Sequence, residues 1–200
     1  FKGHGWVGIK YQIEPDEDYN EIVLHIRFKE TDARLQQETL GILGVNLIYG
    51  AFYKYNDPKK LLRYLYDHLD KDQLEIDTIN FSGPRFADVD NRLMSLQLVK
   101  NGMTDAVMFD PNGNNVLPAA VLYKKNILAL RGSFRPVTKV NMDMYKKSLE
   151  MFLEENKVQK ENTLVVFEIT LSNLRSDGEI VARAFMETAE LLCSLGQYVM

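Results

Sequence analysis

The chain has 200 residues, of which 46% are hydrophobic and 26% charged, and its formal net charge is -4. This length and composition are typical of a folded globular protein with one or two cores. A general nucleic-acid binder would need a basic stripe, and positive and negative charges are interspersed here. The longest apolar stretch, 40–52, is too short for a membrane span and is broken by glycines. We therefore expect neither a nucleic acid nor a membrane as partner.

The number of cysteines bears on the cellular compartment of the protein. Cys193 is the only cysteine and lies in an apolar helical pattern, so we expect it to pack in a core. A single cysteine forms no intrachain disulfide, and no signal peptide is visible, which favours a cytoplasmic location. Because the chain starts at Phe1 without Met and ends on an apolar segment, we expect it to be a piece of a longer protein.

The first half begins with a predicted antiparallel hairpin. Residues 6–11 and 21–29 read as strands, and apolar and polar residues alternate in the second of them. Thr31 or Asp32 then caps a helix that becomes apolar on nearly every side towards its end. That pattern predicts a central, buried helix.

Further elements complete this half. Pro58 is placed to begin a second helix, and 74–81 reads as a strand. A helix capped by Asp88 or Asp90 is predicted to follow and to end at Gly102.

The second half alternates strands and helices. Strands are predicted at 106–109, 119–123, 127–130 and 163–171 and from residue 197, with helices at 139–154 and 178–195. The alternation favours parallel pairing of 127–130 with 163–169, joined by the first of these helices. The predicted fold is therefore α/β, a mixed sheet with an N-terminal antiparallel hairpin and a parallel, helix-covered C-terminal half. The alternative is part of an α/β barrel. The regions are expected to be 1–105 and 106–200.

The segment 126–141 is the most informative candidate site. An apolar strand runs into a loop of Gly, Ser, Pro and Thr that opens an amphipathic helix. Because a helix N-terminus carries unpaired N–H groups and a positive dipole end, it favours an anion such as phosphate. The candidate phosphate-binding residues are Arg131, Gly132, Ser133, Arg135, Thr138, Lys139 and Asn141.

The same segment carries a resemblance. Gly132-Ser-Phe-Arg-Pro-Val-Thr-Lys-Val-Asn141 resembles the ATP-binding segment of nicotinamide or nicotinate mononucleotide adenylyltransferases, where Gly-Ser-Phe-x-Pro leads to Thr or His and then to a histidine near the ATP phosphates. With 43–51, 81–84 and 89–92, the chain is similar to a bacterial family that bears the adenylyltransferase-like label. The resemblance implies nucleotide binding in the 106–200 region and, if the protein is an enzyme, MgATP as cofactor.

Three departures separate this chain from the adenylyltransferase pattern. Asn141 stands in the place of the histidine and cannot carry positive charge. The segment normally opens its domain, whereas here more than half of the chain precedes it. The second motif, Ser-Ser/Thr-x-x-Arg, has a loose counterpart at 172–175. The resemblance therefore supports phosphate binding more than catalysis, and no catalytic residue is assigned.

Other polar residues at predicted strand ends are secondary candidates: Arg85, Asp88, Asp90, Arg92, Glu168 and Arg175. Helix capping and ion pairing explain the same residues without a ligand. The three histidines are scattered and make no metal-ligand pattern, so no metal site is predicted.

Three functions remain open at this point. The first is binding of a nucleotide or other phosphorylated small molecule at 131–141. The second is a non-catalytic interaction or scaffold domain, in which this loop is an ordinary strand-to-helix turn. The third is a different phosphate-handling enzyme on an α/β barrel, with Arg131 and Glu168 at strand ends.

Overall fold

The computed structural model describes the backbone of residues 2–170 and 178–200, with side chains up to residue 170 and from residue 182. The chain forms two compact units, Phe1–Ala106 and Val107–Met200.

The first unit is built on a three-stranded antiparallel sheet. Its strands β1 (His4–Tyr11), β2 (Asn20–Phe28) and β3 (Leu74–Ser82) lie in that order. The apolar residues of β2 alternate as predicted, since Ile22, Leu24 and Ile26 are buried in the core. The predicted hairpin is confirmed.

Three α-helices complete the described part of this unit: α1 (Ala33–Tyr53), α2 (Pro58–Tyr64) and α3 (Asn91–Lys100). Asp32 caps α1, and its Oδ1 accepts from the amides of Arg34 and Leu35 at 2.8 and 3.1 Å. Pro58 is the first residue of α2, as predicted. The starts of α1 and α2 could therefore be predicted from local sequence alone.

The prediction that α1 is central is wrong. Leu43 and Leu47 are buried, but Val45, Ile48 and Phe52 on the opposite side are exposed. A helix whose side chains are apolar on every side is expected to be buried on every side. Here one side of the helix packs on the core, and the other side remains apolar and uncovered.

Within its described residues, the second unit contains a five-stranded mixed sheet and three α-helices. Its elements in chain order are β4 (Met108–Phe109), β5 (Asn115–Val116), α4 (Pro118–Leu122), β6 (Asn126–Gly132), α5 (Lys139–Leu153), β7 (Thr163–Ile169), α6 (Gly178–Ser194) and β8 (Tyr198–Val199). The strand order is β5-β4-β8-β7-β6. Strands β6, β7 and β8 are parallel, while β4 is antiparallel to both β5 and β8. The predicted parallel pair joined by a helix is confirmed, and with it the α/β class.

Two other expectations for this unit are wrong. The strand predicted at 119–123 is the short helix α4, because Pro118 favours a first helical turn and two alanines follow it. The described strands form two open sheets, with β5 and β6 at the edges of the larger one, so they close no barrel. Across residues 2–170 and 178–200, no helix combines the length and apolar character needed to cross a bilayer.

Candidate functional site

The loop between β6 and α5 lies at the carboxyl edge of the parallel strands. Gly132 is the last residue of β6 and is in register with Ile169, the last residue of β7. Segments that leave a parallel sheet at this edge are where α/β proteins bind ligands. Within the loop, the side chains of Ser133 and Arg135 are at least partly exposed, as is that of Lys139 at the start of α5.

A capping box organises the start of α5. The Oδ1 of Asn141 accepts hydrogen bonds from the amide and the hydroxyl of Thr138 at 2.8 and 2.7 Å. In return, Thr138 Oγ1 accepts from the Asn141 amide at 3.3 Å. Asn141 therefore stabilises the helix start. The amides of Lys139 and Val140 lie in the same first turn, where the helix itself offers no acceptor.

Phe134 anchors the loop to the core. Its backbone φ is 49°, its side chain is buried, and its ring lies edge-on to that of Phe167 with centroids 5.2 Å apart. A Cβ on Gly132 would lie 3.1 Å from this ring. The absence of a side chain at Gly132 therefore accommodates Phe134, which holds the loop in place.

Arg131 and Glu168 are partners across the parallel strands. The Arg131 guanidinium lies 2.7 Å from Glu168 Oε1, and the two residues are in direct register. The hydrogen bond to Glu168 and the charge of its carboxylate raise the pKa of Arg131. Part of the positive charge expected beside the loop is thus balanced within the protein.

The secondary candidates in the first unit have local partners. Asp90 caps α3 by accepting from the Arg92 amide at 2.9 Å, and the Arg92 guanidinium lies 3.0 Å from the same carboxylate. The hydrogen bond from the Arg92 side chain is the main reason that the pKa of Asp90 is lowered. Arg85 binds Glu17 at 2.8 Å, and Asp88 is exposed.

These contacts favour the structural interpretation of Arg85, Asp90 and Arg92. Arg175 lies outside the described residues.

The sequence did not reveal a connected group of side chains in the first unit. His25 Nδ1 lies 2.8 Å from Asp77 Oδ1, and both residues are buried. His25 Nε2 is 3.4 Å from His4 Nδ1, and the exposed Trp6 packs edge-on against the His25 ring at 5.0 Å. The irregular pairing of β2 with β3 beyond His25 leaves Asp77 without a register partner. Asp77, His25 and His4 therefore form a chain of contacts that runs from a buried carboxylate to an exposed imidazole.

Hollows are present in the described parts of both units. One of about 400 Å³ in the first unit is lined by Lys54, Lys60, Arg63, Tyr64, Tyr66 and Asp67. One of about 300 Å³ in the second unit lies between α5 and the starts of β7 and β8. The latter is at the opposite end of β7 from the candidate phosphate loop, and none of residues 131–141 lines either hollow.

Within the described residues, no group of three or more His, Cys, Asp or Glu side chains is arranged to hold a metal ion. No protein-family model matches the chain, and no significant match was found among curated proteins or solved structures.

Proposed function

We propose that the second unit binds a phosphate group of a small molecule at the turn between β6 and α5. The observation that carries this proposal is the position of the turn at the carboxyl edge of a parallel strand pair, at the start of a 15-residue helix.

The binding groups follow from the geometry of the turn. The amides of Lys139 and Val140 supply donors in the first turn of α5, and the Ser133 hydroxyl adds a third. Lys139 and Arg135 supply positive charge from exposed positions. Thr138 and Asn141 contribute indirectly, because their capping box fixes the direction of the amides.

Among small molecules that carry a phosphate group, ATP or a mononucleotide is the ligand that the sequence resemblance favours. Mg²⁺ would then accompany the phosphates, neutralising their charge. Glu168, which is in register with Arg131 next to the loop, is paired with the Arg131 guanidinium at 2.7 Å. Among the described residues no group of three or more His, Cys, Asp or Glu side chains is arranged to hold a metal ion, so these residues do not fit a protein-bound magnesium site, and the proposed function is binding alone. We propose the cytoplasm as the compartment, since Cys193 can form no intrachain disulfide.

Calorimetric titration with ATP and with pyrophosphate tests the proposal. Lys139→Ala and Arg135→Ala should each weaken binding by about 1 to 3 kcal/mol, the scale of a charge-assisted hydrogen bond. Lys146→Ala is the matched control, because Lys146 is exposed on the same helix two turns from its start. Added salt should weaken binding further. Equal affinity for the wild type and both loop variants would contradict the proposal.

A non-catalytic interaction domain is the second candidate function, and the uncovered apolar side of α1 favours it. The two functions concern different units, so each can be tested without the other.

A further inference from the structure

The exposed side of α1 is unusual in its composition. Residues 39–53 contain no Asp, Glu, Lys or Arg, although α1 faces solvent along its outer side. Six large side chains on that side are exposed: Leu40, Val45, Ile48, Tyr49, Phe52 and Tyr53. Val45 is 66% exposed and Ile48 is 54% exposed. A helix that only shields a core carries polar residues on this side.

Two glycines of α1 are not explained by packing within the described residues. A Cβ on Gly41 or on Gly44 would meet nothing within 4 Å, whereas a Cβ on Gly50 would lie 3.2 Å from Leu61 Cγ. Gly50 therefore has a packing reason inside the unit. Glycine lowers the stability of a helix interior relative to alanine, so Gly41 and Gly44 need another explanation. Close approach of a second helix supplies one.

The spacing of the exposed residues defines the shape of this surface. Gly41, Val45, Ile48 and Phe52 are separated by four, three and four residues, which is the spacing of a helix–helix seam. Gly41 and Gly44 leave a depression, here called the notch, in the amino-terminal half of the seam. Tyr49 and Phe52 place aromatic rings on its carboxyl-terminal half. The surface is therefore complementary to itself when it is turned end to end.

We propose that α1 is a homodimer interface in which two copies pack antiparallel about a two-fold axis, centred midway between Val45 and Ile48. This register places Phe52 of one copy opposite Gly41 of the other, and Tyr49 opposite Gly44. Parallel pairing would instead set ring against ring and notch against notch. An isologous contact of this kind is the commonest form of protein self-association.

The exposed area of α1 agrees with a second copy as the occupant. The charges that border the uncharged stretch already have partners within the chain, since Glu38 lies 3.0 Å from Arg34 and the Lys54 ammonium lies over the rings of Tyr49 and Tyr64, so the proposed contact is apolar. The six exposed side chains offer on the order of 600 Å² per chain. A standard interface buries about 800 Å² per partner, so the helix supplies most of what a dimer needs.

Sedimentation equilibrium of the 200-residue chain over a micromolar concentration series tests the proposal. We expect a reversible dimer whose dissociation constant rises about tenfold or more in Gly41→Leu, because the new side chain fills the notch. Circular dichroism should show an unchanged fold, since the space around Gly41 is open within the chain. Lys146→Leu, which places the same side chain at an exposed position of α5, should leave association unchanged.

The double variant Gly41→Leu/Phe52→Ala tests the register. If the introduced leucine occupies the space vacated by the ring, the double variant should dimerise more tightly than Gly41→Leu alone. A chain that stays monomeric across the series overturns the proposal, and so does a dimer whose dissociation constant is the same in Gly41→Leu. A dimer in which the two positions show no coupling overturns the antiparallel register.

Discussion

His25 and Asp77 form a buried hydrogen-bonded pair, with Nδ1 of the imidazole 2.8 Å from Oδ1 of the carboxyl. Burial raises the pKa of Asp77 because it disfavours the charged form, and the hydrogen bond with His25 opposes that rise. A carboxyl group whose pKa is raised by folding contributes stability below its unfolded pKa, and this contribution is lost as pH rises through the folded value. His25 is the partner that makes an ionised Asp77 tolerable.

We predict that His25→Leu destabilises the protein more at pH 7 than at pH 4. At pH 7 the variant buries a carboxylate without its partner, which typically costs about 3 kcal/mol or more. Nearer pH 4, the raised pKa allows Asp77 to be neutral, and the cost falls. Urea unfolding at both pH values measures the difference. The double variant His25→Leu/Asp77→Asn should lose this pH dependence, whereas equal destabilisation by His25→Leu at both pH values would contradict the prediction.

The His25–Asp77 pair shows what local sequence patterns cannot reveal. The two residues are 52 positions apart, and the alternation of apolar and polar residues in β2 would place His25 on the solvated side of the strand. The parallel β6–β7 pair was predictable because its apolar runs flank an amphipathic helix. The prediction that α1 is buried on every side was wrong because an apolar side of a helix looks the same in sequence whether the same chain or a second molecule covers it. The residue types of the candidate phosphate loop reveal its place in the sequence, but they do not reveal that Thr138 and Asn141 form a capping box.

Gly83 should be far less replaceable than Gly5. The φ of Gly83 is 103°, and a Cβ there would overlap the carbonyl oxygen of Tyr19 and lie 2.7 Å from the Cα of Asn20. Gly83→Ala should therefore cost about 2 kcal/mol or more in the free energy of unfolding. Gly5→Ala is the matched control, because a Cβ at Gly5 meets nothing within 4 Å. Chemical denaturation measures both variants, and equal stabilities would show that the turn before Pro84 relaxes easily.

Glu168 should reduce the affinity of the neighbouring loop for anions. Its carboxylate lies 2.7 Å from the Arg131 guanidinium, so part of the positive charge beside the loop is neutralised. We expect Glu168→Gln to strengthen pyrophosphate binding by about two- to tenfold at low ionic strength, with the gain shrinking as salt is added. Glu161→Gln, which removes a charge from an exposed position of the same unit, is the control. Unchanged or weaker binding in Glu168→Gln would indicate that Arg131 does not face the phosphate.

Adenylyl transfer should be slow or absent even where nucleotide binds. The position that holds a histidine in the resembling adenylyltransferases is Asn141, and its Oδ1 is engaged by the Thr138 amide and hydroxyl at 2.8 and 2.7 Å. This side chain can neither carry positive charge nor turn towards a phosphate without opening the capping box. Loss of one positioned donor or charge typically lowers a rate by a factor of about 10² to 10³. We therefore expect no robust pyrophosphate release from MgATP with nicotinamide or nicotinate mononucleotide. Turnover at about one per second or faster, abolished by Ser133→Ala or Arg135→Ala, would show that the loop is catalytic.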